Sequence, residues 1–366
     1  MWSRGTKDFG QERICFSNVL VIRKRNLFWG RKWRSLDIKL VLGMLGFHIL
    51  TLFAPFTFTW NVFWLTVLSY FLTGALGITL GYHRLLAHRS FKLPKWLEYT
   101  CVYLGVHASQ RDPIYWVSIH RYHHQYVDLD KDPHTPIYGF WFSHMGWIFD
   151  SGYIKEKYQE RKNVEDLKSQ AFYRFIKRTY VWHLFGLWAL VYAWGGFPYF
   201  VWIVVSLPKC TRYHSSIYTQ GVRNTCLLNA TFLVNSACHI WGKRAWSTDD
   251  LSKNNWYIIY IYICVCVCVC VFLYFFLFNW EMLNDRWVAL ITFGEGWHNN
   301  HHAFEYSARH GLEWWQIDLS WYVIRFLESI GLATNVKLPS HAHKLKKSLA
   351  ISDDLLMKQT SNSINY

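Results

Sequence analysis

This sequence is short of charge, of acids and of any cysteine framework. Charged residues make up only 17% of the 366, and Asp and Glu together number 24 against 39 Lys and Arg. So little charge, with 52% hydrophobic and 19% aromatic residues, argues against an ordinary soluble enzyme. No Cys-x-x-Cys pair occurs, which excludes zinc-ribbon and thioredoxin-like spacings. Cys264, Cys266, Cys268 and Cys270 alternate with valine, while Cys15, Cys101, Cys210, Cys226 and Cys238 are scattered. This is no disulfide scaffold, and the simplest inference is a reducing compartment. No nucleic-acid motif accompanies the net charge of +15, so nucleic acid is not the expected partner. The basic residues flank apolar runs instead, as positive-inside charges and anionic-lipid contacts do. Twenty-two tryptophans suit membrane interfaces. An acidic electron carrier would be drawn to the same positive face.

The apolar runs give the organisation. Residues 1–36 form a basic arm with nine Lys/Arg and two acids, either an organelle-targeting remnant or a membrane-surface segment. Ile38–Trp60 and Phe63–Tyr82 are each about the ~20 residues that a membrane span requires. Pro55 and Asn61 are expected to supply the turn between them. Residues 83–178 are polar, basic and rich in histidine, the makings of a water-facing cap. Tyr180–Phe200 is a third stretch, closed by Gly195, Gly196 and Pro198, and Gly221–Trp241 is a weaker fourth. The expected fold is all-α and integral to the membrane. About four transmembrane helices would form two hairpins, with a helical cap on one side. Tyr257–Trp280 is the most apolar run of all. A fifth span there would carry the last histidine cluster across the membrane from the others. Its Ile-Cys-Val-Cys-Val-Cys repeat resembles translated simple-sequence DNA more than a selected helix.

Histidine carries the chemistry. His83-Arg-Leu-Leu-Ala-His88 stands where the second span ends, His120-Arg-Tyr-His123-His124 lies in the cap, and His298-Asn-Asn-His301-His302 follows the last apolar run. In each HxxHH the offsets of three and four place all three imidazoles on one helical face. His83 and His88, five apart, are expected to need a helix end or a bend to converge. Asn235 and His239, at the end of the fourth stretch, are also four apart. Two HxxHH motifs among eighteen histidines exceed chance. Imidazole suits zinc, copper, iron and nickel, and spacing alone does not choose among them. Nine histidines are too many for one ion and imply two. The clusters lack the Glu-x-x-His pairs of soluble diiron bundles.

These three boxes resemble those of the membrane acyl desaturases related to stearoyl-CoA desaturase. The flanking residues Phe91–Tyr99, Asp132-Pro-His134, Gly139–His144, Gly294–His298 and Ser307–Trp315 resemble the plant acyl-lipid branch. The lead-in Phe16–Trp33 is similar to its plastid members, whose activity is Δ7 desaturation of palmitoyl chains on galactolipid. The resemblance covers about residues 14–345, apart from 203–220 and 257–286, which look inserted. It implies a membrane desaturase domain over 37–345 and a loose tail over 346–366.

The resemblance also implies two iron ions on His83, His88, His120, His123, His124, His239, His298, His301 and His302, with Asn235 at a position that holds a metal-bound water. It implies a Δ7 or Δ9 cis double bond in a 16- or 18-carbon fatty acyl lipid or acyl-CoA, made with O2 and two electrons. The donor would be ferredoxin in a chloroplast membrane, or cytochrome b5 in the endoplasmic reticulum. Trp116 is a candidate wall of the acyl tunnel, equally readable as plain packing. Asp128, Asp132, His134, His144 and Glu295 are candidates to orient the ligands. His48, His107, His183, His214, His310, His341 and His343 read as structural. Three features depart from the plant pattern: Tyr115 stands where Asp is usual, Arg111 stands for Gly, and Leu228-Asn-Ala-Thr231 resembles animal relatives. Rival functions are a diiron lipid hydroxylase, an inactive product of a mispredicted gene, and a histidine-rich metal transporter. The last requires ionisable residues inside the spans, which are nearly absent.

Overall fold

The computed structural model describes residues 12–22, 25, 31–158, 161–203, 221–255 and 292–348. Of the two segments read as insertions, 203–220 lies outside these residues apart from Ile203, and 257–286 lies outside them entirely, with the Tyr257–Trp280 run inside it.

The described chain is mostly helical, as expected. A two-stranded hairpin of Glu12–Arg13 (β1) with Leu20–Val21 (β2) is an addition to the all-α expectation. It is turned at Phe16, whose φ is 55°. Helix α1, Ser35–Thr51, begins where the Asp37 carboxylate accepts the Arg34 N–H at 3.1 Å. The same carboxylate accepts the Ser151 N–H at 3.0 Å, which ties the start of α1 to the cap. Around Pro55 the chain makes a 3-10 turn, Ala54–Thr57. Thr59, rather than Asn61, then caps α2 by accepting the Val62 N–H.

Helix α2 runs from Trp60 to Ala87 without a break, ordinary α-helix to Tyr70 and π-helix over Phe71–Ala87. It is therefore longer at both ends than the apolar pattern alone suggests. The short cap helices are α3 (Lys95–Val106), α4 (Pro113–Gln125), α5 (Phe140–His144), α6 (Ser151–Tyr158) and α7 (Glu165–Lys168). Helix α8, Ala171–Ile203, breaks its geometry at Gly196, where φ is 66°, but resumes to Ile203 rather than stopping. Helix α9 is Val222–Ile240, followed among the described residues by α10 (His298–Ala303), α11 (Leu319–Ser329) and α12 (His341–Lys347).

Among the described residues two helices, α2 and α8, are long and apolar enough to cross a membrane. They pack with each other and with α9, and α1 joins α8 and α9. At one end of this group Thr51 donates to Thr225 at 3.3 Å and Trp202 to Thr57 at 3.1 Å. The other end carries His83, His88 and His239. The outward faces are greasy: Leu42, Trp64, Trp182, Leu190 and Trp194 are exposed. A water-soluble bundle would place polar side chains there. The core centres on α2, α3 and α4, with Ala75, Leu80, Tyr82, Val102 and Ile114 buried.

Candidate metal centre

The π-winding of α2 answers the five-residue spacing of the first box. The His88 N–H bonds the His83 carbonyl at 3.1 Å, an i to i+5 bond. Such a turn stacks residues five apart, and the two rings lie with centroids 4.7 Å apart. Helix α4 begins at Asp112, whose side chain accepts the Tyr115 N–H, with Pro113 next. It then presents His120, His123 and His124. Helix α10 presents His298, His301 and His302, and α9 delivers His239 from its last turn.

Nine imidazoles converge in two groups. His83, His88, His120, His124 and His301 form one, and His123, His239, His298 and His302 the other, with ligand atoms inside each within 4.8 Å of one another. The facing atoms are Nε2. In the first group, His88 and His120 approach to 2.8 Å, His124 and His301 to 3.0 Å, and His83 and His301 to 3.2 Å. In the second, His239 and His298 stand 2.9 Å apart and His298 and His302 3.0 Å apart.

The opposite ring nitrogens meet carboxylates. His83 Nδ1 lies 2.9 Å from Glu295, His123 Nδ1 3.0 Å from Asp132, His239 Nδ1 3.0 Å from Asp128 and His302 Nδ1 2.8 Å from Asp250. A carboxylate only accepts, so each of these Nδ1 atoms carries a proton, and in the neutral ring that a metal binds Nε2 points a lone pair inward. His239 and His302 then both aim lone pairs at His298, whose Nε2 holds at most one proton. A cation resolves that conflict. Imidazole nitrogens bind a divalent metal at about 2.1 Å, which sets neighbouring ligand atoms about 3.0–3.4 Å apart. The observed spacings, from 2.8 to 3.2 Å, fall in or just short of that range, so the donor set fits two metal ions. Burial first, and then neighbouring imidazoles, hold His120, His123, His124, His298 and His301 well below their ordinary pKa. These rings are neutral and competent as ligands at neutral pH.

Glu295 is itself anchored. Arg84, fully buried on α2, reaches Glu295 at 3.0 Å and Asp318 at 2.9 Å. Asp318 also caps α11 by accepting the Trp321 N–H. Gly294, at φ 109°, lets the loop pass Asp318, whose Oδ1 would lie 2.4 Å from any added Cβ.

Of the residues the sequence offered as orienting groups, Asp128, Asp132 and Glu295 meet ligands directly. His134 packs on His123 with centroids 4.3 Å apart and lies 3.7 Å from Asp132. His144 bonds Ser236 instead. Two partners escaped the sequence: Asp250, and Glu305, whose carboxylate is 3.5 Å from His124 Nδ1. His310, read as structural, lies 3.2 Å from Glu295.

Two cavities meet beside the centre. Both are lined by Trp116, His120, Thr231 and Asn235. One extends past Gln110, Arg111 and Tyr115 to Met44 and Phe47. The other extends between α2 and α9, past Ile78, Leu227 and Val234, to Phe293. At their junction Trp116 Nε1 donates to Gln110 Oε1 at 3.0 Å and Gln110 Nε2 donates to Thr231 at 2.8 Å. Trp116 also stacks on His120, with centroids 5.1 Å apart. The two unusual residues lie together: Arg111 stacks over the Tyr115 ring at 4.6 Å, and Arg161 does so at 4.7 Å. Arg111 has φ 81°, a conformation that glycine adopts more readily.

Comparison with known families matches residues 58–335 to the fatty acid desaturase family. The chain belongs to that family. It is 49% identical over 333 residues to the chloroplastic palmitoyl-monogalactosyldiacylglycerol delta-7 desaturase of Arabidopsis thaliana, covering 91% of this chain and 77% of the relative. It is 47% identical to an acyl-CoA C20 Delta5-desaturase of Anemone leveillei, covering 92% and 94%. It is 44% identical to delta-9 acyl-lipid desaturase 1 of Arabidopsis thaliana, covering 95% and 98%. This desaturase is therefore an oxidoreductase of lipid metabolism, with histidine clusters able to hold metal.

Proposed function

We propose that this desaturase places a cis double bond at Δ7 or Δ9 of a saturated 16- or 18-carbon acyl chain on a chloroplast membrane lipid. Two irons would be its resident metals. His83, His88, His120, His124 and His301 hold one. His123, His239, His298 and His302 hold the other, with Asn235 beside it positioning a bound water. In this reading α1, α2, α8 and α9 all cross the membrane as two hairpins, and the cap faces the stroma. Ferredoxin is then the electron donor. The strongest support is the convergence of the nine imidazoles beside a junction of two cavities.

When bound and reduced, the irons supply the oxygen chemistry that removes two hydrogens. The protein's part is positional. Asp128, Asp132, Asp250 and Glu295 hold their histidines in one tautomer and one orientation. Gln110, bridging Trp116 and Thr231, fixes the bend of the channel, so one C–C bond lies beside His120. Ile78, Leu227, Ala230 and Val234 exclude water from that bond. The charged end, near Arg111 and Tyr115, takes the carboxyl side of the substrate. Relatives that act on acyl-CoA, such as the Anemone enzyme, support a second reading, in which the carrier is CoA, the membrane is the endoplasmic reticulum and the donor is cytochrome b5.

Expression in a desaturase-deficient yeast or cyanobacterium, followed by gas chromatography–mass spectrometry of total fatty acids, tests the proposal. New 16- or 18-carbon monoenes, absent from a His120→Ala control, are expected. Hydroxylated chains in place of alkenes would overturn it.

A further inference from the structure

The cavity between α2 and α9 ends on an aromatic ring whose placement the metal centre does not require. We propose that Phe293 is the stop that limits how much acyl chain extends beyond the metals on the methyl side. This rests on the desaturase reading above. The other cavity reaches Gln110, Arg111, Tyr115 and His134, groups suited to a polar carboxyl end. The α2–α9 cavity offers Ile78, Leu227, Ala230, Val234 and Phe293 away from the histidines. Desolvating a head group there would be costly, so the methyl end belongs in it.

Phe293 is built as a wall. It is buried, and its ring lies against Tyr70 at 5.3 Å and Phe71 at 6.0 Å between centroids. It fills the space left by Gly74. A Cβ at Gly74 would stand 2.5 Å from Phe293 Cε2 and 2.9 Å from Leu227 Cδ1. Its backbone is held at φ 57°, a conformation that bulky residues adopt only when their surroundings impose it. Three bonds impose it: Ser320 N–H to the Phe293 carbonyl at 3.2 Å, Glu295 N–H to the Thr292 carbonyl at 3.1 Å, and Gly296 N–H to Thr292 Oγ1 at 3.1 Å. The same turn carries Glu295, the partner of His83. The stop and the metal centre are thus set at a fixed distance by one rigid loop.

Two substitutions should act in opposite directions. Phe293→Ala opens a depth of about two to four methylenes, at roughly 1.5 Å per C–C bond, and should shift the preferred substrate to longer chains. Gly74→Ala pushes the ring into the cavity and should favour shorter ones. One methylene in an apolar pocket is worth about tenfold or more in selectivity, so the ratio of C18 to C14 products should change by at least that factor. The double-bond position counted from the carboxyl end should stay fixed.

The test is product analysis in the deficient host fed C14, C16, C18 and C20 saturated acids. Thermal melts of the detergent-purified full chains with the same acids are run alongside. In the melts, the longest stabilising acid should be longer for Phe293→Ala than for the wild type, whether or not the variant turns over. Unchanged chain-length profiles in both assays would overturn the proposal. A wild type that binds acids but makes no alkene would instead sink the desaturase reading, leaving the binding shift to judge Phe293.

Discussion

Asp128→Asn isolates what one buried carboxylate contributes to the metal centre. Asp128 sits 3.0 Å from His239 Nδ1 and accepts the Leu251 N–H at 2.7 Å. Asparagine keeps the shape and, through its carbonyl oxygen, one accepting group, so the fold should persist. What is lost is the negative charge that makes His239 a stronger donor to its metal. Removing such a partner lowers metal affinity about 10- to 100-fold, or about 1.4–2.8 kcal/mol at ~1.4 kcal/mol per decade. His239 belongs to the four-histidine group, so the loss should fall on one ion. Glu305→Gln is the internal comparison, because Glu305 is 54% exposed and lies 3.5 Å from His124, where water screens it. The assay is iron per chain, by elemental analysis, during titration with a chelator. Asp128→Asn should release one iron at about 10- to 100-fold lower chelator concentration than wild type, while Glu305→Gln tracks the wild type. Equal retention in all three proteins would refute the idea that the carboxylate tunes the site.

Arg84→Met should be strongly destabilising, by about 3–5 kcal/mol, because it leaves Glu295 and Asp318 as uncompensated buried charges; the melting temperature of the purified protein checks this, with Arg84→Lys expected to fall between. Asp166 joins Arg121 at 2.9 Å and Arg89 at 2.8 Å. Burial opposes ionisation there, but the two guanidiniums win and hold its carboxyl below the ordinary value of 3.8. Its contribution is therefore present above about pH 4 and is lost as pH falls through the depressed folded value. Asp166→Asn should lower stability at neutral pH and flatten the acid limb of the melting curve between those two values.

The ligands were legible because metal binding here uses local periodicity. His120, His123 and His124 announce themselves by helical spacing alone, as do His298, His301 and His302. His83 and His88 were legible as a pair that meets at a helix end or a bend, and the helix does end at Ala87 with His88 as its cap, but the π-winding that leads to that end has no simple sequence signature. Asp250 and Glu305 stayed hidden because each meets its histidine across more than fifty residues, through loops whose course no periodicity reports. Thr231 was missed for the same reason, since it meets Gln110 across 121 residues, whereas Gln110 stands only six residues from Trp116 in a turn that carries no motif. Helix α8 outran its expected end because Val201, Trp202 and Ile203 are buried in one core cluster with Ala54 and Val62, and Trp202 bonds Thr57, which sustains helix beyond Gly196.

The central claim, that nine histidines hold two irons for desaturation, is tested most directly by the metal content of the purified, active protein, measured with its Mössbauer spectrum. The account predicts two irons per chain in histidine-rich, unequal environments. One metal per chain, or zinc in place of iron, would contradict it.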